Sequence, residues 1–223
     1  MKTDNISALI ELKSCYKAYK KQGKLSLVLK DISLTFKSGS FIAILGSSGS
    51  GKTTLLKLIS GLINPSKGEI FFNDKKISDK SFSELSAMRR QYYGFMFQDT
   101  DLINYLTVSE NISFPNINEN NRRLDDLIKM LGLTENKTEL PDNISQGEKQ
   151  RTMFARAIFN DPDVILVDEP TANLDWENAK ILFDHLFNLS KLGKLVIVAT
   201  HDERVADYST KLFRLLDGRI ISK

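Results

Sequence analysis

The eight residues Gly46-Ser47-Ser48-Gly49-Ser50-Gly51-Lys52-Thr53 constrain this chain more than any other stretch. They follow the apolar run Phe41-Ile42-Ala43-Ile44-Leu45 and lead into a helix-like run over residues 54–59. Strand, glycine-rich loop and helix are the context in which a G-x-x-x-x-G-K-[ST] pattern forms a phosphate loop. The glycines let the backbone curl so that successive N–H groups face phosphate oxygens. A helix beginning near Gly51 adds the positive end of its dipole. Lys52 is then placed to reach the β- and γ-phosphates, and Thr53 to offer a hydroxyl to Mg²⁺. An unstructured Gly/Ser-rich loop is the bland alternative, and the flanking strand and helix count against it. The pattern implies a nucleoside triphosphate as ligand.

At 223 residues the chain suits one α/β domain, long enough to bury a core without disulfides or metals. Its net charge of +3 is spread over 31 basic and 28 acidic residues, so no nucleic-acid partner is expected. Cys15 stands alone, which excludes a disulfide framework and suits a reducing compartment; it reads as a small half-buried residue. Residues 1–13 carry Asp4 and Glu11 and lack the long apolar core of a secretory signal. No apolar run approaches the ~20 residues of a membrane helix, so any membrane span is expected from another chain.

The first third reads as β-rich. Ile10-Glu11-Leu12 opens a strand, and residues 27–36 end in the apolar–polar alternation of a half-buried one. Lys37-Ser38-Gly39-Ser40 is a turn, and Gly61, Asn64, Pro65 and Gly68 break the chain before a short strand over 69–72. Leu124, Leu127, Ile128 and Leu131 stand at i, i+3, i+4 and i+7 and predict an amphipathic helix. A second helix is expected over 146–159 with Met153, Phe154, Ala157 and Ile158 inward, and the Asn/Pro-rich stretch 114–121 as a loop. Val164-Ile165-Leu166-Val167 and Leu195-Val196-Ile197-Val198-Ala199 are unbroken apolar runs, with a helix over 177–189 between them. Strands buried on both faces look like this, which implies a parallel sheet covered by helices.

Asp168 and Glu169 follow the first of these runs. Carboxylates just beyond the C-terminal end of a buried strand sit where open α/β sheets bind ligands. Asp168 is placed to hold Mg²⁺, directly or through water, and Glu169 to orient and polarise an attacking water. An acidic turn would explain an isolated Asp-Glu, but not one downstream of a phosphate loop. His201 follows the second run and is expected to face the γ-phosphate, whereas His185, mid-helix, has only a structural reading. Ser145, with Glu148 three residues later, makes a capping box for the 146–159 helix. An exposed helix N-terminus with a Ser and a Gly is also a second anion site.

Taken in order along essentially the whole chain, these residues resemble the nucleotide-binding subunits of ABC transporters. The phosphate loop matches the family's Walker A element, and residues 165–169 close its Walker B element. Ile144-Ser145-Gln146-Gly147-Glu148 resembles the signature, Ala172-Asn173-Leu174-Asp175 the D-loop, and His201 the switch histidine. Gln98, after Phe95-Met96-Phe97, matches the Q-loop glutamine. Tyr19 matches the aromatic residue that stacks on adenine; Tyr16 competes for that role, and the spacing to Gly46 favours Tyr19.

The resemblance implies a core of phosphate-loop NTPase type, mostly parallel, over 1–97 and 164–223. It adds an N-terminal antiparallel β part and an inserted α-helical subdomain over 98–163. It implies ATP and Mg²⁺ as cofactors, with Lys52, Gln98, Glu169 and His201 catalytic and Thr53, Gln98 and Asp168 on the metal. Nucleotide contacts fall on Tyr19, Gly46 to Thr53, Thr54 and, from a second subunit, Ser145, Gln146, Gly147 and Asp175. Two copies are expected to pair head to tail around two ATP molecules, at the cytoplasmic face of the membrane, on an integral membrane permease.

The signature departs from the family pattern at Ile144, Gln146 and Glu148 and keeps Ser145 and Gly147. Phe97-Gln98-Asp99-Thr100-Asp101-Leu102-Ile103 and residues 106–115, with the phosphate loop, look like the lipoprotein-release and macrolide-export type. Export or extraction is therefore the expected direction. Mechanotransmission to a permease-like partner is an alternative, and a soluble non-transport ABC protein or a simple kinase fits less well. Trp176, the only tryptophan, follows Asp175 and sits either on the subunit interface or against its own helix.

Overall fold

In the computed structural model, residues 9–21, 23–97, 102–115, 121–171 and 176–222 are described. A long hairpin, β1 (Ile10–Lys21) and β2 (Lys24–Phe36), precedes β3 (Phe41–Leu45) and helix α1 (Lys52–Ile59). The chain returns through β4 (Lys67–Phe72) and the two-residue β5 (Lys75–Lys76). Helix α2 (Phe82–Tyr92) runs directly into β6 (Tyr93–Met96), and α3 (Val108–Ser113), α4 (Asn121–Met130) and α5 (Gln146–Ile158) follow. Strand β7 (Val164–Asp168), α6 (Trp176–Lys191), β8 (Leu195–Thr200) and the hairpin β9 (Lys211–Leu216) and β10 (Arg219–Ser222) complete the order.

The strands form two sheets. One is antiparallel, in the order β2-β1-β4-β5; the other runs β10-β9-β3-β8-β7-β6 and is parallel except for its β10 edge. The apolar runs explain the second sheet. Every residue of β3, β7 and β8 is buried. Because side chains alternate across a strand, each run feeds two cores. Ile42, Ile44, Leu166 and Ile197 pack with the antiparallel sheet, α1 and Leu85 of α2. Phe41, Ala43, Val167 and Val198 pack on the opposite face with residues of α3, α4, α5 and α6. The expected α/β architecture with a mostly parallel sheet and an antiparallel β part is the one found.

Several elements differ from the sequence reading. β1 and β2 extend well beyond the expected 10–12 and 27–36, because they pair with each other along almost their whole length. α2, β6, α3 and the β9–β10 hairpin were not foreseen. α2 and α3 both begin with capping boxes, Ser81 with Glu84 and Thr107 with Glu110. Met153 is only partly buried, since the α5 turn that carries it borders a cleft rather than the core. Of the expected 114–121 loop, Phe114 caps α3, Asn121 opens α4, and 116–120 lie outside the described residues. Cys15 is fully buried, not half-buried: its Sγ donates to the Glu69 carbonyl at 3.2 Å, and burial pushes the thiol up to about 11.

Gly94 sets how closely α5 lies on the sheet. A Cβ there would collide with the carbonyl oxygen of Ala157, a backbone atom that cannot rotate away. Gly94→Ala should therefore destabilise the protein by about 1–3 kcal/mol, the usual cost of overpacking a tight core. Urea denaturation checks this; an unchanged midpoint would mean that α5 shifts without cost.

Candidate active site

Parallel register brings the site together. Leu45 at the end of β3 lies opposite Thr200 at the end of β8, and Asp168 at the end of β7 lies opposite Ala199. The segments that leave these strands emerge side by side at one edge.

The loop after β3 turns into α1 through Gly51, which caps the helix at φ 106°. A side chain in that backbone region would be strained, and a Cβ would also come within 3.0 Å of Leu29. α1 has no side-chain cap and no acidic residue in its first turn, so its N-terminal N–H groups and dipole are left for an anion. Ser47, Ser48 and Gly49 are exposed at the loop, Gly46 and Thr54 are half-buried, and the buried Ser50 hydroxyl has no partner among the described residues.

Lys52 is buried, and its Nζ donates to the carbonyls of Gly46 at 2.7 Å and Ser47 at 3.1 Å. The same ammonium pairs with Glu169 Oε1 at 3.1 Å. The other carboxylate oxygen, Oε2, accepts from the Thr200 hydroxyl at 3.0 Å and the His201 N–H at 3.3 Å, and lies 2.9 Å from His201 Nδ1. Glu169 holds a positive φ of 48°, which aims its side chain back over the strand ends. Burial alone would push its carboxyl up. The Lys52 bond and charge, with Thr200 and the His201 N–H, outweigh burial and hold it below the ordinary value.

Thr53 Oγ1 donates to Asp168 Oδ2 at 2.5 Å. Asp168 Oδ1 is buried and has no hydrogen-bond partner among the described residues. Burial pushes the Asp168 carboxyl above its ordinary value, the Thr53 bond pulls the other way, and the Glu169 charge adds to the rise. A hydroxyl beside a carboxylate with an unused oxygen suits Mg²⁺, which takes one or two protein oxygens and completes its shell with water and phosphate. The described residues contain no cluster of three or more His, Cys, Asp or Glu able to enclose a metal.

Lys52, Glu169 and His201 thus form one bonded group, and their chain neighbours Thr53 and Asp168 a second one. Ser145 is engaged elsewhere: its hydroxyl and N–H both donate to Glu148 Oε2 at 2.7 Å, the expected capping box. Gln146 and Lys149 of the same helix line a cleft of about 360 Å³ with Phe97, Asp168 and Glu169. Tyr19 is exposed on the β1–β2 hairpin with Lys17 Nζ 5.3 Å from its ring centre, while Tyr16 is half-buried. Gln98 and Asp175 lie outside the described residues. His185 is partly buried against Phe154 and plays no part in either group.

Sequence reasoning missed Thr200 and Asp202. Thr200 is fully buried; its hydroxyl donates to Glu169 and accepts from the Asp202 N–H at 3.1 Å. A polar residue closing an unbroken apolar strand was the available signal.

The model of the ABC transporter family matches residues 29–172. The chain belongs to the ABC transporter family. It is 37% identical over 222 residues to the macrolide export ATP-binding/permease protein MacB of Shewanella sp. strain W3-18-1, covering 97% of this chain and 34% of that protein. The chain spans about a third of the length of these MacB relatives. It is also 35% identical over 219 residues to the ABC transporter ATP-binding protein MJ1508 of Methanocaldococcus jannaschii, covering 96% and 98% of the two. A dimeric structure of the ATP-binding cassette MJ0796, in a post-hydrolysis state bound to ADP and Pi, superposes with a TM-score of 0.89 at 35% identity, covering 96% and 98%.

The Thr53–Asp168 bond gives a test that needs no nucleotide. Thr53→Ala leaves a buried carboxylate without its donor, which should cost about 1–3 kcal/mol at neutral pH. Burial raises the folded-state value, so the fold favours protonated Asp168: that contribution is complete below the unfolded value and lost as pH rises through the folded one. The Thr53→Ala penalty should accordingly shrink between pH 7 and pH 4.5 in paired denaturation curves. A penalty that grows on acidification would contradict the placement.

Proposed function

We propose that the chain hydrolyses ATP as one half of a head-to-tail dimer and so drives a membrane permease of the export type. The observation that carries this reading is the convergence of Lys52, Thr53, Asp168, Glu169 and His201 on adjacent strand ends. The MacB relatives are named as export ATP-binding/permease proteins, and the MJ0796 cassette is described as dimeric with ADP and Pi, which supports both parts of the proposal.

On this reading the phosphates of ATP enter the 46–53 loop and meet its N–H groups and the start of α1. Lys52 exchanges the Gly46 and Ser47 carbonyls, and Glu169, for phosphate oxygens. Glu169 is then free on one oxygen to accept a proton from water, while His201 keeps its hold on the other. The water oxygen bonds to the γ-phosphorus as the bond to the bridging oxygen breaks, and ADP departs with that electron pair. Thr53 and Asp168 would hold Mg²⁺, which would supply positive charge against the phosphates. Ser145, Gln146 and Gly147 of the second copy close the site from the far side. For this, the Ser145 hydroxyl must turn from Glu148 to phosphate. Gln98 and Asp175 keep the Q-loop and D-loop roles that the family resemblance gives them, and Tyr19 the adenine.

The permease is proposed to dock in a groove of about 650 Å³ bordered by Arg89, Phe95, Ile103, Phe114 and Arg156. Among the described residues no helix is long and apolar enough to cross a membrane. Attachment at the cytoplasmic face would come through that contact.

Glu169→Gln should lower steady-state hydrolysis by about 10²–10⁴-fold, the usual cost of losing a positioned base, while nucleotide binding survives. Phosphate release and equilibrium binding of a fluorescent ATP analogue measure the two. Near-normal turnover would remove Glu169 from its role. Lost binding would mean that the Lys52–Glu169 pair serves the loop's shape and not the chemistry.

A further inference from the structure

One arrangement beside the site is not used by the mechanism. Arg204 sits in the short 3-10 turn Glu203–Tyr208 that follows β8. Its Nε and one terminal nitrogen form a fork on Asp202, with Nε–Oδ1 at 2.8 Å and Nη2–Oδ2 at 2.7 Å, and its backbone N–H adds a third bond to Oδ1 at 3.0 Å. The guanidinium carbon also stands 4.2 Å from the ring centre of Trp176. Trp176 is the first residue of α6 and belongs to a distant part of the sequence.

An Asp–Arg pair two residues apart on an exposed turn would ordinarily contribute little. Here the guanidinium is held on a second side by the aromatic face that cations favour most. Its planar fork fits carboxylate and ring at once, which a lysine cannot do. Asp202 continues inward. Its N–H donates to Thr200 Oγ1 at 3.1 Å, and that hydroxyl donates to Glu169 Oε2 at 3.0 Å. His201 lies between Thr200 and Asp202, with its backbone fixed on both sides. A continuous run of contacts therefore joins the start of α6 to the carboxylate proposed as base.

We propose that Arg204 is a positioning residue: clamped between Asp202 and Trp176, it holds the loop that carries His201 in register with Glu169. The proposal rests on the ATPase reading of Glu169 and His201. A purely structural role for the clamp, shielding one face of Trp176, would affect stability alone.

The test uses the full chain. Arg204→Ala should lower kcat on the order of tenfold, less than the ~10²-fold that a 1 Å misplacement can cost, with KM for Mg-ATP within about twofold. Trp176→Leu should do the same. The double substitution should be no worse than either single one, because both remove one clamp. Arg204→Lys, which keeps the charge without the fork, should fall between. An unchanged kcat in Arg204→Ala, an effect confined to KM, or a double loss equal to the product of the two single losses would each overturn the proposal.

A second readout needs no turnover. Trp176 is the only tryptophan, so the emission comes from the ring that Arg204 contacts. Arg204→Ala should shift it and Arg204→Lys should shift it less; identical spectra would overturn the clamp. If Glu169→Gln retained turnover, the assignment of Glu169 as base would fail while the emission result still stood, so the two failures are distinguishable.

Discussion

The site depends on the register of three parallel strands. Because β3, β8 and β7 are paired with Leu45 beside Thr200 and Ala199 beside Asp168, three connections leave the sheet at one level. A slip of one residue would turn every side chain of a strand into the opposite core, where its shape no longer matches the close-packed neighbours. Burial on both faces thus fixes the register, and the register fixes the chemistry. Lys52 and Glu169 lie more than a hundred residues apart in sequence, yet meet at 3.1 Å without any long loop being ordered for the purpose.

The charges at that edge balance one another. The Lys52 ammonium is shared between two loop carbonyls and Glu169, and the Glu169 carboxylate between Lys52, Thr200 and His201. Buried charges persist only with such partners. Asp168 is the exception, with one buried carboxylate oxygen that has no partner among the described residues.

Much of this was legible in the sequence, for reasons that differ by element. β3, β7 and β8 announced themselves as unbroken apolar runs of strand length, rich in β-branched residues in β7 and β8. The phosphate loop was legible because its glycines answer a backbone demand, at Gly51 most plainly. Asp168, Glu169 and His201 followed from their places after those runs. The rest was hidden where the determinant is non-local. β6 is the short, aromatic Tyr93-Gly94-Phe95-Met96 and is a strand only because β7 pairs with it. The β1–β2 hairpin exceeds its apolar core because each strand extends the other. The capping boxes at Ser81 and Thr107 were readable by the rule that found Ser145, and with them α2 and α3. No sequence rule brings Arg204 over Trp176, since that contact belongs to the packing of α6 on the turn after β8.

The central claim is that each catalytic centre is shared between two copies, with Lys52 from one and Ser145 from the other. Mixing Lys52→Ala chains with Ser145→Arg chains, each inactive by itself, tests it most directly. The mixed dimer holds one centre built wholly from intact elements and one that lacks both groups. The account predicts ATP hydrolysis returning on mixing, in proportion to the mixed dimer formed. Demonstrated mixed dimers that remain inactive would contradict it.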